Sequence, residues 1–228
     1  MGRDNRRGRK HRHHESRNRT LGLDAKKKTV GATERDEQQR QHFRDQLAQQ
    51  PDAQFVIIDE SGTNLNLTRR YARAPRNQRA YGAVPRNTPP TTTLIASLSR
   101  AGMGPALILR GATDTAAFEV YIAQVLGPSF VPGQIVVMDN LSAHKSTRVR
   151  ELIEGYGCQL WFLPSYSPDL SPIEEAFSKL KAVLRRVQAR TQDALEAAIA
   201  LALDQITPAD AHGYFTHCGY HVRPLTAQ

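Results

Sequence analysis

Three acidic side chains stand where apolar runs of this chain meet the segments that follow them. Asp59 closes the run FVIID (Phe55–Asp59), and Asp139 follows IVVM (Ile135–Met138). Glu174 falls in the first turn of a helix expected to open at Ser171, just after the loop PSYSPDL (Pro164–Leu170). In open α/β sheets, functional groups collect where strand carboxyl ends meet the next loop. Carboxylate oxygens are hard ligands suited to Mg²⁺ or Mn²⁺, and Mg²⁺ is usually shared between one or two carboxylates and substrate phosphate oxygens. Two ions about 4 Å apart would clamp the attacking and leaving oxygens of an in-line displacement. Taken singly, each acid has a plainer use. Asp59 could cap a turn with Ser61 and Gly62, Asp139 could form an Asx-turn with Leu141, and Glu174 could satisfy the Ser171 amide in a capping box. Their joint arrival at element ends favours a shared metal site.

Helix geometry separates Glu174 from its neighbour. With Ser171 as N-cap and Pro172 at the first position, Ile173, Phe177, Leu180, Leu184 and Val187 form the expected buried stripe. At about 100° per residue, Glu174 lies on the flank of that stripe and Glu175 nearly opposite it. Glu174 is therefore the expected ligand, and Glu175 is expected to pair with Lys179 at i+4. Lys181 and Arg185 continue along Glu174's flank and suit a phosphate track beside the metal.

The elements that must carry these residues are legible from periodicity. Residues 32–50 are rich in helix formers, with Phe43 and Leu47 as the few apolar anchors, and predict a solvent-exposed helix. Short apolar strands are expected at Phe55–Asp59, Thr91–Ser99, Pro105–Gly111, Ile135–Met138 and Gln159–Leu163. Helices are expected over 114–126, with Thr113 or Asp114 as N-cap, over 146–155, from Ser171, over 191–206 and over 208–216. The order β-β-β-α-β-α-β-α implies one α/β unit.

Charge is placed unevenly. Of the net +9, residues 1–28 contribute eleven Lys and Arg against three acids, which leaves +1 to the other 200 residues. Such an arm reads as a polyanion-binding tail with salt-dependent, sequence-independent affinity. Its first twenty residues are poor in hydrophobics, so a basic disordered N-terminal arm is expected. Between Glu60 and Asp114 there is no acid but eight arginines, among them Arg69, Arg70, Arg73, Arg76 and Arg79, with Tyr71 and Tyr81 interleaved. A solvated face usually mixes signs, so this window is expected to lie against phosphates.

With 39% hydrophobic residues and a single Trp, 228 residues allow one soluble domain plus an arm. No apolar run is long enough to span a bilayer, and the basic N-terminus lacks the apolar stretch of a secretory signal. Two cysteines, Cys158 and Cys218, argue for buried free thiols rather than a disulfide framework. The segment HGYFTHCGYH offers His212, His217, Cys218 and His221, but its spacing fits no standard zinc finger, and zinc is not expected there.

The ordered set Asp59-Glu60, Asp139-Asn140 with His144, and Tyr166-Ser-Pro-Asp-Leu-Ser-Pro-Ile-Glu174 resembles the catalytic core of DDE transposases of the mariner superfamily, in its bacterial insertion-sequence branch. The 34 residues between Asp139 and Glu174 match the spacing of that family, and the resemblance runs from about residue 21 to 222. It implies an RNase H-like fold, a mixed five-stranded sheet flanked by helices. The expected organisation is an arm at 1–28, a linker helix at 29–50, a catalytic domain at 51–222 and a tail at 223–228. It also implies Asp59, Asp139 and Glu174 as catalytic metal ligands for Mg²⁺ or Mn²⁺, with Asn140 and His144 as accessory residues. The implied activity is cleavage and strand transfer of double-stranded DNA, at transposon ends and target, by a homodimer or larger assembly in the bacterial cytoplasm at the nucleoid. Relatives place a helix-turn-helix region upstream, which here would have to be supplied separately. A catalytically idle DNA-binding remnant is the alternative, and a resolvase or RNA–DNA hybrid nuclease a third reading that the SPDLSPIE loop opposes.

Overall fold

Alternation along the strands builds a sheet with two apolar faces. In the computed structural model, residues 32–69, 71–85, 87, 91–140 and 146–220 are described. The strands are β1 (Phe55–Thr63), β2 (Thr92–Ser99), β3 (Gly102–Arg110), β4 (Ile135–Met138) and β5 (Gln159–Phe162). They form one mixed sheet in the order β3-β2-β1-β4-β5. β1 pairs antiparallel with β2, and β2 antiparallel with β3, whereas β1, β4 and β5 run parallel. Parallel neighbours need crossovers, and helices supply them.

The helices are α1 (Glu37–Ala48), α2 (Thr115–Val120), α3 (Thr147–Gly155), α4 (Pro172–Val187), α5 (Gln192–Asp204) and α6 (Pro208–His217). Phe55, Ile57, Ile135 and Val137 point to one face, where α1, α4, α5 and α6 pack through Phe43, Phe177, Leu195 and Phe215. Val56, Ile58, Val136 and Met138 point to the other, where Phe118, Ile122, Val149 and Ile153 cover them. The result is a three-layer α/β/α unit of the RNase H-like type, as expected. Truncating a fully buried side chain such as Phe177 to Ala typically costs about 3–5 kcal/mol.

Four local expectations change. The expected helix over 114–126 is α only to Val120 and continues as a π-helix over Tyr121–Leu126. β3 starts at Gly102 rather than Pro105, because Gly102 takes φ +111° and lets β2 reverse directly into β3. α1 is not exposed all round: Phe43 and Leu47 are buried, and Arg40 with them. Val187, placed on the buried stripe of α4, is half exposed, while Ala176 and Val183 are buried instead. Cys158 and Cys218 are buried free thiols. Among the described residues no helix is long and apolar enough to cross a membrane. The basic arm, the C-terminal tail, Arg70, Arg86, His144 and His221 lie outside the described residues.

Candidate active site

The parallel register of β1 and β4 aligns Ile58 with Met138, so the residue that follows each of them is an aspartate, Asp59 within β1 and Asp139 just past the end of β4. Asp59 and Asp139 share the parity of Ile57 and Val137, and therefore face the side of the sheet covered by α4. α4 begins on that side and brings Glu174 in its first turn. All three acids, with Asn140, Ser165 and Tyr166, line a single open groove of about 380 Å³. Asp59 does not end its strand as the apolar run suggested. It lies mid-strand, opposite Ala96, because pairing with β2 carries β1 on to Thr63. β4, by contrast, stops at Met138, and the notch left beside β1 is where the groove opens.

The electrostatics of this groove favour a cation. Burial first, and then the charges of Asp139, Glu174 and Glu60, together push the Asp59 carboxyl up to about 7, against a hydrogen bond from the Glu60 amide at 2.8 Å. Desolvation and like-charge repulsion act in the same direction here, and a divalent ion would reverse both. An all-oxygen donor set and a half-buried, repelling acid cluster fit Mg²⁺ or Mn²⁺. Glu174 is exposed and free of the expected capping box. The Ser171 amide donates instead to the Pro168 carbonyl at 3.0 Å, and the Ser171 hydroxyl makes no cap bond.

Asn140 also reaches the groove, where its Nδ2 donates to Ser165 Oγ at 3.2 Å. Arg69, Arg73, Arg76 and Arg79 are all exposed, in a stretch (64–91) with neither helix nor strand among its described residues. Tyr71 and Tyr81 stand 90% exposed in the same stretch. Arg110, at the far end of the acid-free window, is instead tied to Glu196 at 3.0 Å and Asp193 at 3.5 Å of α5. Lys181 and Arg185 are half buried along α4 and do not line the acidic groove.

Glu175 does not pair with Lys179. It contacts His217 Nδ1 at the end of α6, while Lys179 reaches across to Asp210 at 2.7 Å. Tertiary partners outcompete the i+4 pair because α6 packs against α4. This brings Glu175, His217 and Cys218 within 4.8 Å of one another, a cluster that the sequence did not suggest because one member is distant. Two further features escaped the sequence. Tyr166 takes a left-handed φ of +55° and stands 59% exposed at the groove. Asp169, two residues before Ser171, is gripped by Arg40 of α1. The motif Tyr166–Glu174 marked the loop, but nothing local marked its partner.

Comparison with known proteins agrees with this geometry. Residues 54–196 match the family described as DDE superfamily endonuclease. A search of curated proteins finds no match. Among solved structures, the chain resembles the Mos1 transposase paired-end complex with left transposon end, with TM-score 0.74 and 16% identity, over 91% of this chain and 67% of that one. The Mos1 strand transfer complex is similar at TM-score 0.69 and 16% identity, over 91% and 68%. The catalytic domain of Mos1 mariner transposase aligns at TM-score 0.56 and 14% identity, over 86% of this chain and all of that one. These likenesses establish a shared fold, and the family match covers well over half of the chain, including all three groove acids. The chain belongs to the DDE superfamily endonucleases.

Proposed function

We propose that this chain is the catalytic domain of a transposase of bacterial insertion-sequence type, which cleaves and joins DNA strands with Mg²⁺ or Mn²⁺. The observation that carries this reading is the register of β1 and β4, which sets Asp59 and Asp139 side by side on the face where α4 presents Glu174. These three carboxylates would hold the metal. When bound, divalent ions would supply activation of water or a DNA 3′-hydroxyl and neutralisation of charge at the departing oxygen.

The chain's own residues supply binding and order. Asp59 must give up the proton that its burial favours before it can serve as a ligand. Asn140, bonded to Ser165, ties the chain just past β4 to the loop that leads to α4. Arg69, Arg73, Arg76 and Arg79 expose their charge for DNA phosphates, which supports binding without base readout. No side chain is required as a covalent nucleophile. Double-stranded DNA is the substrate, and a homodimer or larger assembly acts on it at the nucleoid.

The choice of ligand is tested by comparing Glu174→Gln with Glu175→Gln in nicking of supercoiled plasmid with Mn²⁺. Loss of nicking only in Glu174→Gln is expected. Loss only in Glu175→Gln would move the site to the neighbouring residue.

A further inference from the structure

Arg40 is the one charged residue among the described ones whose side chain is fully buried, and it is spent on the loop that leads to Glu174. Its Nη1 donates to Asp169 Oδ1 at 3.0 Å and its Nη2 to Asp169 Oδ2 at 2.7 Å, a two-pronged contact. Its Nε donates to Glu37 Oε2 at 3.3 Å. Asp169 sits in the 3₁₀ turn Pro168–Leu170, between groove residues Pro168 and Ser171 and five residues ahead of Glu174. The next residue is held as well: Tyr220 Oη donates to the Leu170 carbonyl at 3.1 Å.

Burying a guanidinium is a poor way to gain stability, since apolar residues of similar volume often do as well or better. What the pair adds is geometry. A planar fork on a carboxylate fixes distance and orientation together, which neither lysine nor an apolar side chain does. From this we propose that Arg40 is a positioning residue for the metal site: through Asp169 it sets where α4 starts, and so where Glu174 points. α1, which precedes the strand bearing Asp59, is then a working part of the catalytic unit.

The role of Arg40 rests on the proposed metal-dependent function, and the test separates the two. Mn²⁺ binding is read from the electron paramagnetic resonance signal of the free ion, without DNA, alongside thermal melting. Arg40→Met removes the fork while keeping an unbranched buried side chain. It is expected to weaken Mn²⁺ binding about 10- to 100-fold, as removal of ligand-orienting partners does, with melting close to wild type. Arg40→Lys, which keeps charge without the fork, should fall between. If Arg40→Met does not fold, Asp169→Asn removes the fork's acceptor from the exposed side, where Arg35 Nη2 also reaches Oδ2 at 3.3 Å, and Arg35→Met serves as the control that should leave Mn²⁺ affinity unchanged. Unchanged Mn²⁺ affinity in a folded variant overturns the positioning role. Wild type that binds no Mn²⁺ overturns the metal-dependent function itself.

Discussion

Asp59, in mid-β1, and Asp139, just past the end of the neighbouring parallel strand β4, each follow one residue after the Ile58–Met138 pair. Neighbouring strands lie about 4.7–4.9 Å apart, and residues in register project to the same face. Two carboxylates so placed repel one another, and burial of Asp59 adds to the cost. The fold tolerates this where it would be removed by a bound cation.

That tension predicts a stability effect. In the native chain Asp59 keeps its proton up to about 7, whereas the unfolded chain releases it near 4. The native state therefore binds more protons across that window, and metal-free stability falls as pH rises through it. Asp59→Asn should raise the stability of the metal-free protein by on the order of 4 kcal/mol at pH 7.5, and by very little below about pH 3. Thermal melting in EDTA at both pH values measures it, and an equal gain at both would count against burial of the charge as the cause.

On the opposite side of α4, the sign reverses. Lys179 at 2.7 Å, helped by the Thr207 hydroxyl and amide, holds the Asp210 carboxyl down to about 2. Its contribution is present above the ordinary carboxylate range and is lost as pH falls towards 2. Lys179→Met should cost about 0.5–1 kcal/mol at neutral pH and shift acid unfolding upward. Glu175→Gln should leave the Lys179 contribution intact, since Glu175 faces His217. Non-additivity between Lys179 and Glu175 variants would restore the i+4 pair.

The exposed arginines predict a salt effect. Arg73→Glu with Arg76→Glu should weaken binding to all DNA sequences alike, and reduce the slope of log K against log salt by about 0.9 for each phosphate no longer neutralised. Fluorescence anisotropy over a salt series reads this, and an unchanged slope would return these arginines to solvent.

Much of the fold was legible because both strand faces and helix stripes follow simple periods. FVIID and IVVM predicted β1 and β4 with an aspartate after each apolar run, whereas the parallel register that puts both aspartates on one side had to come from the structure. The extension of β1 past Asp59 was hidden, since Glu60–Thr63 is polar and is held in the strand by β2 rather than by its own propensity. Ser171 and Glu174 have the pattern of a capping box, but the preceding 3₁₀ turn takes the Ser171 amide. Arg40 read as one more charge on a polar helix, because its partner lies 129 residues away. The three groove acids could be named from sequence, whereas the interactions that position them are long-range and depend on packing.

If the acids of this groove hold metal for DNA cleavage, nicking of supercoiled plasmid must depend on them and on the ion together. Asp139→Asn removes one ligand charge with little change of shape, and the exposed basic residues lie elsewhere. Wild type should nick with Mn²⁺ or Mg²⁺ and stop in EDTA, whereas Asp139→Asn should bind the same DNA at least as tightly and leave it intact. Equal, metal-independent behaviour of the two proteins would rule out cleavage at this groove and leave a DNA-binding remnant in its place.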